Sequence, residues 1–383
     1  MHQIENFLAE SLQKRKDLAL YRILKTTENI VDFCSNDYLG FAKTGILVEG
    51  IKQELAQLEQ SHNQWVGATG SRLLAGNYAY TENLESTIAD FHGAEAGLIF
   101  NSGYDANVGV LASVPQKGDF LITDEYIHAS MIDGARLSYA TRLKFSHNDL
   151  SDLRKKLEHA KTQNTGRIYV AVESVYSMDG DEAPLKALAE ICDEYGAGLI
   201  VDEAHATGVF GDKGEGLVSY YGLEKRVFAR VITFGKALGC HGAIVLGSES
   251  LRAFLINFAR SFIYTTAAPL HSHAGVKSAY DYLQSANFNN SYLHKLIRYF
   301  REQVASSCSY PIIESRSAIQ CVVIPGNEAC RQVAQQLQNA GLDVRAILSP
   351  TVPKGKERLR ICLHQYNTFE QIDALVKQMS PHL

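Results

Sequence analysis

The sequence predicts an α/β protein with a mostly parallel sheet covered by helices on both faces. Three observations predict it. Short apolar runs at 97–100, 120–123, 168–172, 198–201, 231–234 and 243–246 read as strands. Amphipathic stretches such as 104–115, 150–162 and 185–195 separate them with helical spacing, and strands alternating with helices imply a parallel sheet with both faces covered. Several polar residues that stand out follow directly on an apolar run, at the carboxyl ends of strands where ligands of such sheets gather.

In chain order, residues 3–20 place Ile4, Phe7, Leu8 and Leu12 at helical spacing among charges, an amphipathic N-terminal helix. An extended piece at 30–34 and the loop Ser35-Asn36-Asp37-Tyr38-Leu39-Gly40 follow. We read 1–45 as a helix and extended arm, 46–275 as the large alternating domain and 276–383 as a smaller α+β domain. In the last of these, helical stretches at 291–306, 328–340 and 368–379 surround short strands near 318–324 and 359–363. Thr368-Phe369-Glu370-Gln371 fits a capping box opening the final helix. His271-Ser272-His273 reads as an exposed helix start, and Ser177-Met178-Asp179-Gly180-Asp181 as a tight acidic turn.

Bulk properties restrict the function. The 383 residues are 46% hydrophobic and 21% charged, ordinary for a globular chain of two or three domains. A net charge of −5 gives no basic excess to attract nucleic acid or an anionic membrane. No apolar run reaches the roughly 18 residues of a spanning helix, and the N-terminus lacks a basic start followed by an apolar run. The seven cysteines (Cys34, Cys192, Cys240, Cys308, Cys321, Cys330, Cys362) are scattered without a CxxC pair. That pattern points to reduced thiols in the cytoplasm and to neither disulfides nor a metal.

The chemistry centres on Lys236, in Thr233-Phe234-Gly235-Lys236-Ala237-Leu238-Gly239 after an apolar run. A solvated lysine is the ordinary alternative. Small apolar neighbours, however, desolvate an amine, lower its pKa and favour the neutral nucleophile. Asp202 ends another run, where it either caps a turn or meets a cofactor's protonated ring nitrogen. His205 follows three residues later, a structural histidine or a partner for a ring oxygen. His128 also follows a strand and has the shape to stack on a planar ring. Asn101-Ser102-Gly103-Tyr104 passes from strand to helix, so its exposed N–H groups make an anion seat. Gly67-Ala68-Thr69-Gly70-Ser71-Arg72 is a second small-residue loop; neither matches a Walker or dinucleotide fingerprint.

Together these segments resemble the α-oxoamine synthase family of fold-type-I pyridoxal-phosphate enzymes. SNDYLG at 35–40, GSR at 70–72, NSGY at 101–104, HAS at 128–130, ESVYSMDGD at 173–181, VDEAHATG at 201–208, TFGKALG at 233–239 and PTVP at 350–353 occur in the family's order. The resemblance implies the fold-type-I transferase fold, with a seven-stranded, mostly parallel sheet and a smaller C-terminal α+β domain. It implies pyridoxal 5'-phosphate carried on Lys236, which also moves the substrate α-proton. Asp202 would pair with the ring nitrogen, His205 with the ring hydroxyl, and His128 would stack on the ring. Gly103, Tyr104 and Thr233 would hold the phosphate, with Ser177 also contacting the cofactor. Thr265 and Thr266 resemble a pair that reaches the neighbouring subunit's phosphate, which implies a homodimer with shared sites. Arg360 resembles the arginine that binds the amino-acid carboxylate, and Arg22 and Thr351 would contact substrate.

Within the family, Ser317-Ala318-Ile319-Gln320 and Pro350-Thr351-Val352-Pro353 are most similar to the biotin-pathway branch. That branch joins L-alanine to a pimeloyl thioester, of CoA or a carrier protein, with loss of CO2. Two positions depart from its pattern: Leu348-Ser349 stands where Arg-Pro is frequent, and Asn367 replaces a frequent histidine. Glycine C-acetyltransferases and serine palmitoyltransferases are the alternatives inside the family. A non-catalytic relative is expected to lose Lys236, Asp202 or the phosphate loop, and all three are present.

Overall fold

The computed structural model describes residues 2–18, 20–24, 26, 30–61, 66–163, 166–307 and 310–379. The chain opens with α1 (His2–Asp17), β1 (Val31–Asp32), α2 (Val48–Ser61) and α3 (Ala79–Phe91). The alternating part runs β2 (Ala96–Phe100), α4 (Gly103–Ser113), β3 (Phe120–Asp124), α5 (Ala129–Leu137), β4 (Thr141–Phe145), α6 (Leu150–Gln163) and β5 (Ile168–Glu173). It continues through α7 (Leu185–Tyr195), β6 (Gly198–Asp202), α8 (Leu217–Tyr220), β7 (Ala229–Thr233) and β8 (Ala243–Gly247). Next come α9 (Glu249–Phe258), α10 (Arg260–Ile263), α11 (Leu270–Gln284) and α12 (Ser291–Ser307). The last elements are β9 (Ile319–Val323), α13 (Asn327–Asn339), β10 (Leu342–Asp343), β11 (Arg345–Ile347), β12 (Arg358–Cys362) and α14 (Phe369–Met379).

Seven strands form the main sheet in the order β2-β8-β7-β6-β5-β3-β4. The ladders from β7 to β4 are parallel, and β8 alone runs antiparallel to both neighbours. Successive residues feed opposite faces: Phe120 and Ile122 enter one core with Leu199, Val201 and Ile232, while Leu121, Ile200 and Val231 enter the other. Both faces are dry, so each of these strands is an unbroken apolar run. β4 was not among the expected strands. It is an exposed edge whose sequence, Thr141-Arg142-Leu143-Lys144-Phe145, alternates charge and apolar groups; edge charges discourage pairing with another chain.

The remaining strands make two small ladders: β11-β12-β9, antiparallel, and β1 beside β10, parallel. The arm at 31–38 is sewn to the C-terminal part, since Cys362 N donates to Phe33 O at 2.8 Å and Gln365 N to Tyr38 O at 2.8 Å. One apolar core runs from Ile122 and Val201 to Leu293, Val322 and Leu359. Residue 275 lies within α11, so that helix crosses the expected boundary.

The capping box at 368–371 forms: Gln371 N donates to Thr368 Oγ1 at 3.3 Å and Thr368 N donates to Gln371 Oε1 at 3.2 Å. The reading of His271-Ser272-His273 is corrected in part. A helix does begin there, at Leu270, but His273 is buried and its Nδ1 lies 3.0 Å from Thr81 Oγ1. Its helical phase turns it inward while His271 faces out. The six described cysteines are free thiols; Cys308 lies outside the described residues, as does Met1 of the N-terminal reading. Among the described residues no helix is long and apolar enough to cross a membrane.

Candidate active site

The turn after β7 is shaped by Gly239. It sits at φ +60°, and a Cβ there would lie 2.5 Å from the backbone nitrogen of Ala42, so the turn is pressed onto the arm. Gly239 N donates to Lys236 O at 2.9 Å and Cys240 N to Phe234 O at 2.8 Å, closing the turn around the lysine. The Lys236 Nζ is 2.7 Å from His205 Nε2. Burial lowers the Lys236 pKa to about 8 against the pull of Asp202 and Glu173.

His205 is buried in the turn three residues past the end of β6, and its Nδ1 is 2.7 Å from Tyr38 Oη. The Tyr38 hydroxyl donates to Asn36 Oδ1 at 3.0 Å. Its oxygen therefore accepts from His205 Nδ1–H, which leaves Nε2 bare to accept from the lysine. Burial, and then the charge on Lys236, lower the His205 pKa well below the ordinary value and keep it neutral. Asn36 Oδ1 also accepts from Arg360 Nη2 at 3.0 Å. Arg360 Nε donates to Ser177 O at 2.7 Å, fixing the guanidinium on β12. One hydrogen-bonded chain thus connects Lys236 to Arg360 through His205, Tyr38 and Asn36.

A second chain starts at Asp202, which is buried and accepts from Ala204 N at 2.9 Å and from Asn107 Nδ2 at 2.7 Å. Asn107 Nδ2 also donates to Ser130 Oγ at 3.0 Å. Ser130 Oγ lies 2.8 Å from His128 Nδ1, to which Ser130 N also donates at 3.2 Å. Two donors at Nδ1 put the His128 proton on Nε2. Burial and the charge of Lys236 lower the His128 pKa. Glu173, buried at the end of β5 in register with Asp202, has its pKa raised well above the ordinary value by burial and by the Asp202 charge.

The anion seat opens α4. Ser102 Oγ accepts from Asp105 N at 3.0 Å as the N-cap, and the Gly103 and Tyr104 amides are in the first turn. A Cβ at Gly103 would come within 3.4 Å of Thr233 Oγ1, so the loop and the end of β7 meet closely. Asn101 Nδ2 donates to Thr265 Oγ1 at 3.0 Å and to Thr266 O at 2.8 Å, which holds that pair beside the same loop. The acidic turn is tight as read. Gly180, at φ +76°, passes so near β9 that a Cβ would lie 2.3 Å from Ile319 O.

His128 and Ser177 border a cavity of about 340 Å³, also lined by Tyr126, Tyr176, Thr351 and Val352. A larger cavity of about 520 Å³ lies near Arg230, toward the opposite end of β7, and contains none of these residues. Open sheets of this kind bind at carboxyl ends, so the smaller cavity is the relevant one. Arg22 is exposed in the stretch 20–24 and has no place in either hydrogen-bonded chain. Asn107, Tyr38, Asn36 and Glu173 were not singled out from sequence, although each falls within or just after a motif that was. Pyridoxal phosphate fits this donor set. A desolvated lysine, a buried carboxylate and the free amides of a helix start lie together, and Asn107 Oδ1, buried beside Asp202, lacks a hydrogen-bond partner among the described residues.

A model of the aminotransferase class I and II family matches residues 28–378. The 8-amino-7-oxononanoate synthase of Emericella nidulans is 43% identical, over 99% of this chain and 96% of that protein. The aminoacyl transferase sphA of Byssochlamys spectabilis is 40% identical, over 91% of this chain and 80% of its own length. A solved structure of SPT with PLP as the internal aldimine superposes with a TM-score of 0.86 at 26% identity, covering 100% of this chain and 97% of the other.

Proposed function

Since the chain belongs to the aminotransferase class I and II family, and within it to the α-oxoamine synthases, we propose that it condenses L-alanine with a pimeloyl thioester of CoA or a carrier protein. The products would be 8-amino-7-oxononanoate, CO2 and the free thiol, a step of biotin biosynthesis. The chain is a pyridoxal-phosphate-dependent acyltransferase. The observation that carries the substrate reading is the 43% identity to an 8-amino-7-oxononanoate synthase over 99% of the chain.

In this reading Lys236 carries the cofactor, Asp202 pairs with its ring nitrogen, His205 with its hydroxyl, and His128 stacks on its ring. Gly103, Tyr104 and Thr233 take the phosphate, with Ser177 alongside. When bound, pyridoxal phosphate supplies a protonated ring into which carbanion charge spreads. Arg360 pairs with the alanine carboxylate and turns the α-hydrogen toward Lys236. Lys236, freed once the alanine amine takes its place, would take that proton; burial favours its neutral, proton-accepting form. The α-carbon attacks the thioester carbonyl; a C–C bond forms, the C–S bond breaks, and the thiolate leaves, taking its proton from solvent. The resulting β-keto acid loses CO2, and Lys236 returns a proton to the α-carbon. Arg22 and Thr351 line the approach of the substrates. Thr265 and Thr266 reach the phosphate of a second copy, so the enzyme works as a homodimer in the cytoplasm.

A second reading, a synthase for an uncharged acyl chain such as palmitoyl or acetyl, draws support from the acyl-side cavity. The arginine lining it, Arg358, is buried and already ion-paired with Asp179. Turnover of alanine, glycine and serine with pimeloyl-, acetyl- and palmitoyl-CoA separates the two. The first reading predicts the highest kcat/KM for alanine with pimeloyl-CoA. A clear preference for glycine or serine, or for an uncharged acyl group, contradicts it.

A further inference from the structure

We propose that His147 is a positioning residue for the acyl donor: clamped between Asp124 and Asp181, it fixes Tyr126 and Tyr176, two walls of the cavity beside His128. The proposal rests on the function above in taking that cavity as the acyl chamber.

His147 lies in the turn between β4 and α6. Its Nδ1 is 3.0 Å from Asp124 Oδ1, and its Nε2 is 2.8 Å from Asp181 Oδ2. Carboxylates face both ring nitrogens, so both carry protons and the ring is an imidazolium. Tyr126 stacks on it with centroids 4.4 Å apart and planes 22° from parallel. Tyr176 meets it edge-on, at 4.5 Å and 87°. A cation against an aromatic face is held by the ring quadrupole. The same carboxylate fixes the first tyrosine's backbone, since Tyr126 N donates to Asp124 Oδ1 at 2.8 Å. Asn148 tightens the clamp, donating from its backbone to Asp124 Oδ2 at 2.9 Å and from its side chain to Asp181 Oδ2 at 3.0 Å.

Burial opposes the charge on His147, but the hydrogen bonds to Asp124 and Asp181 outweigh it and hold the pKa at about 9. The other charged or titratable groups around it are Glu125, which accepts from His147 N, the two tyrosines, and Glu182, which Arg316 engages. Asp152, from α6, is occupied by Ser146. Among the described residues, no hydrogen bond of this network reaches Lys236, Asp202 or His205, so acyl-side and amino-acid-side binding are separable.

The test uses the cofactor-loaded enzyme and the acyl-CoA that it turns over best. His147→Asn is expected to raise the KM for that thioester about tenfold, with kcat within about threefold, because the ring contacts it removes, to Tyr126 and Tyr176, shape binding and not the chemical step. Alanine affinity by spectral titration should stay unchanged. Asp181→Asn keeps the histidine but removes one carboxylate. In the wild type, the acyl-donor KM should climb as pH passes about 9, and in Asp181→Asn that climb should begin at lower pH. An unchanged acyl-donor KM in His147→Asn, an equal loss of alanine affinity, or an unmoved pH limb in Asp181→Asn would overturn the proposal. A wild type inactive toward every amino acid and thioester would overturn the functional reading and this inference together, which is a distinct result.

Discussion

At the residue scale, the site works by neutralising what it buries. Three of its groups, His205, His128 and Glu173, are held in their uncharged forms, while Asp202 is satisfied by Asn107 and Ala204. In the proposed mechanism this leaves one carboxylate, Asp202, to meet a cationic ring, the condition for an electron sink. The bare Nε2 of His205 depends on Tyr38, whose hydroxyl sets the tautomer. Tyr38→Phe is therefore expected to lower kcat/KM about tenfold or more, the effect of losing one hydrogen bond in a charged network. Steady-state assays measure it, with cofactor content unchanged. These partners illustrate what sequence can and cannot convey. Lys236, Asp202 and His205 were legible because each lies at or just after the end of an apolar run. Asn107 was not, because its role depends on a residue 95 positions away, reached only after the sheet has formed. Tyr38 and Asn36 lay within a motif whose letters say nothing of the histidine and arginine they join.

At the scale of elements, six of the main strands were legible because burial on both faces erases the usual polar alternation. The edge strand β4 escaped because its exposure restores that alternation. The short ladders of β1, β10 and β11 have too few residues to show any period. His273 escaped for a related reason, since a polar residue on the buried side of a helix is invisible without its partner Thr81. Signals that close on themselves locally are plain in the sequence, as the reciprocal bonds of Thr368 and Gln371 show. Thr368→Ala should lower stability by about 1 kcal/mol, as for other lost N-caps. The midpoint of denaturant unfolding measures this, and turnover below the transition should be unaffected. The departure at Leu348-Ser349 has an element-level meaning too. Leu348 packs against the main core, and Ser349 N donates to Asn327 Oδ1 at 2.9 Å, so this segment anchors the strap that delivers Thr351 and Val352 to the cavity.

At the scale of the molecule, the arm at 31–38 and the C-terminal strands converge on one edge of the cluster, so Asn36, Tyr38 and Arg360 arrive from opposite ends of the chain. Water exclusion during carbon–carbon bond formation requires such enclosure, because a solvated carbanion would be protonated instead. The proposed homodimer completes the enclosure through Thr265 and Thr266. If the sites are shared, co-expressing Lys236→Ala subunits with Thr265→Ala/Thr266→Ala subunits should restore about a quarter of wild-type activity, because half of randomly mixed dimers hold one intact site. Activity of the mixed preparation no greater than that of the separate variants would show that each subunit works alone.

Every step of the proposed mechanism depends on Lys236 carrying the cofactor. Reduction of the loaded enzyme with borohydride, followed by peptide mapping by mass spectrometry, tests it most directly. One pyridoxyl-modified peptide, containing Lys236, is expected, and none from the Lys236→Ala variant. A stable adduct on another lysine, or one that persists in that variant, would contradict it.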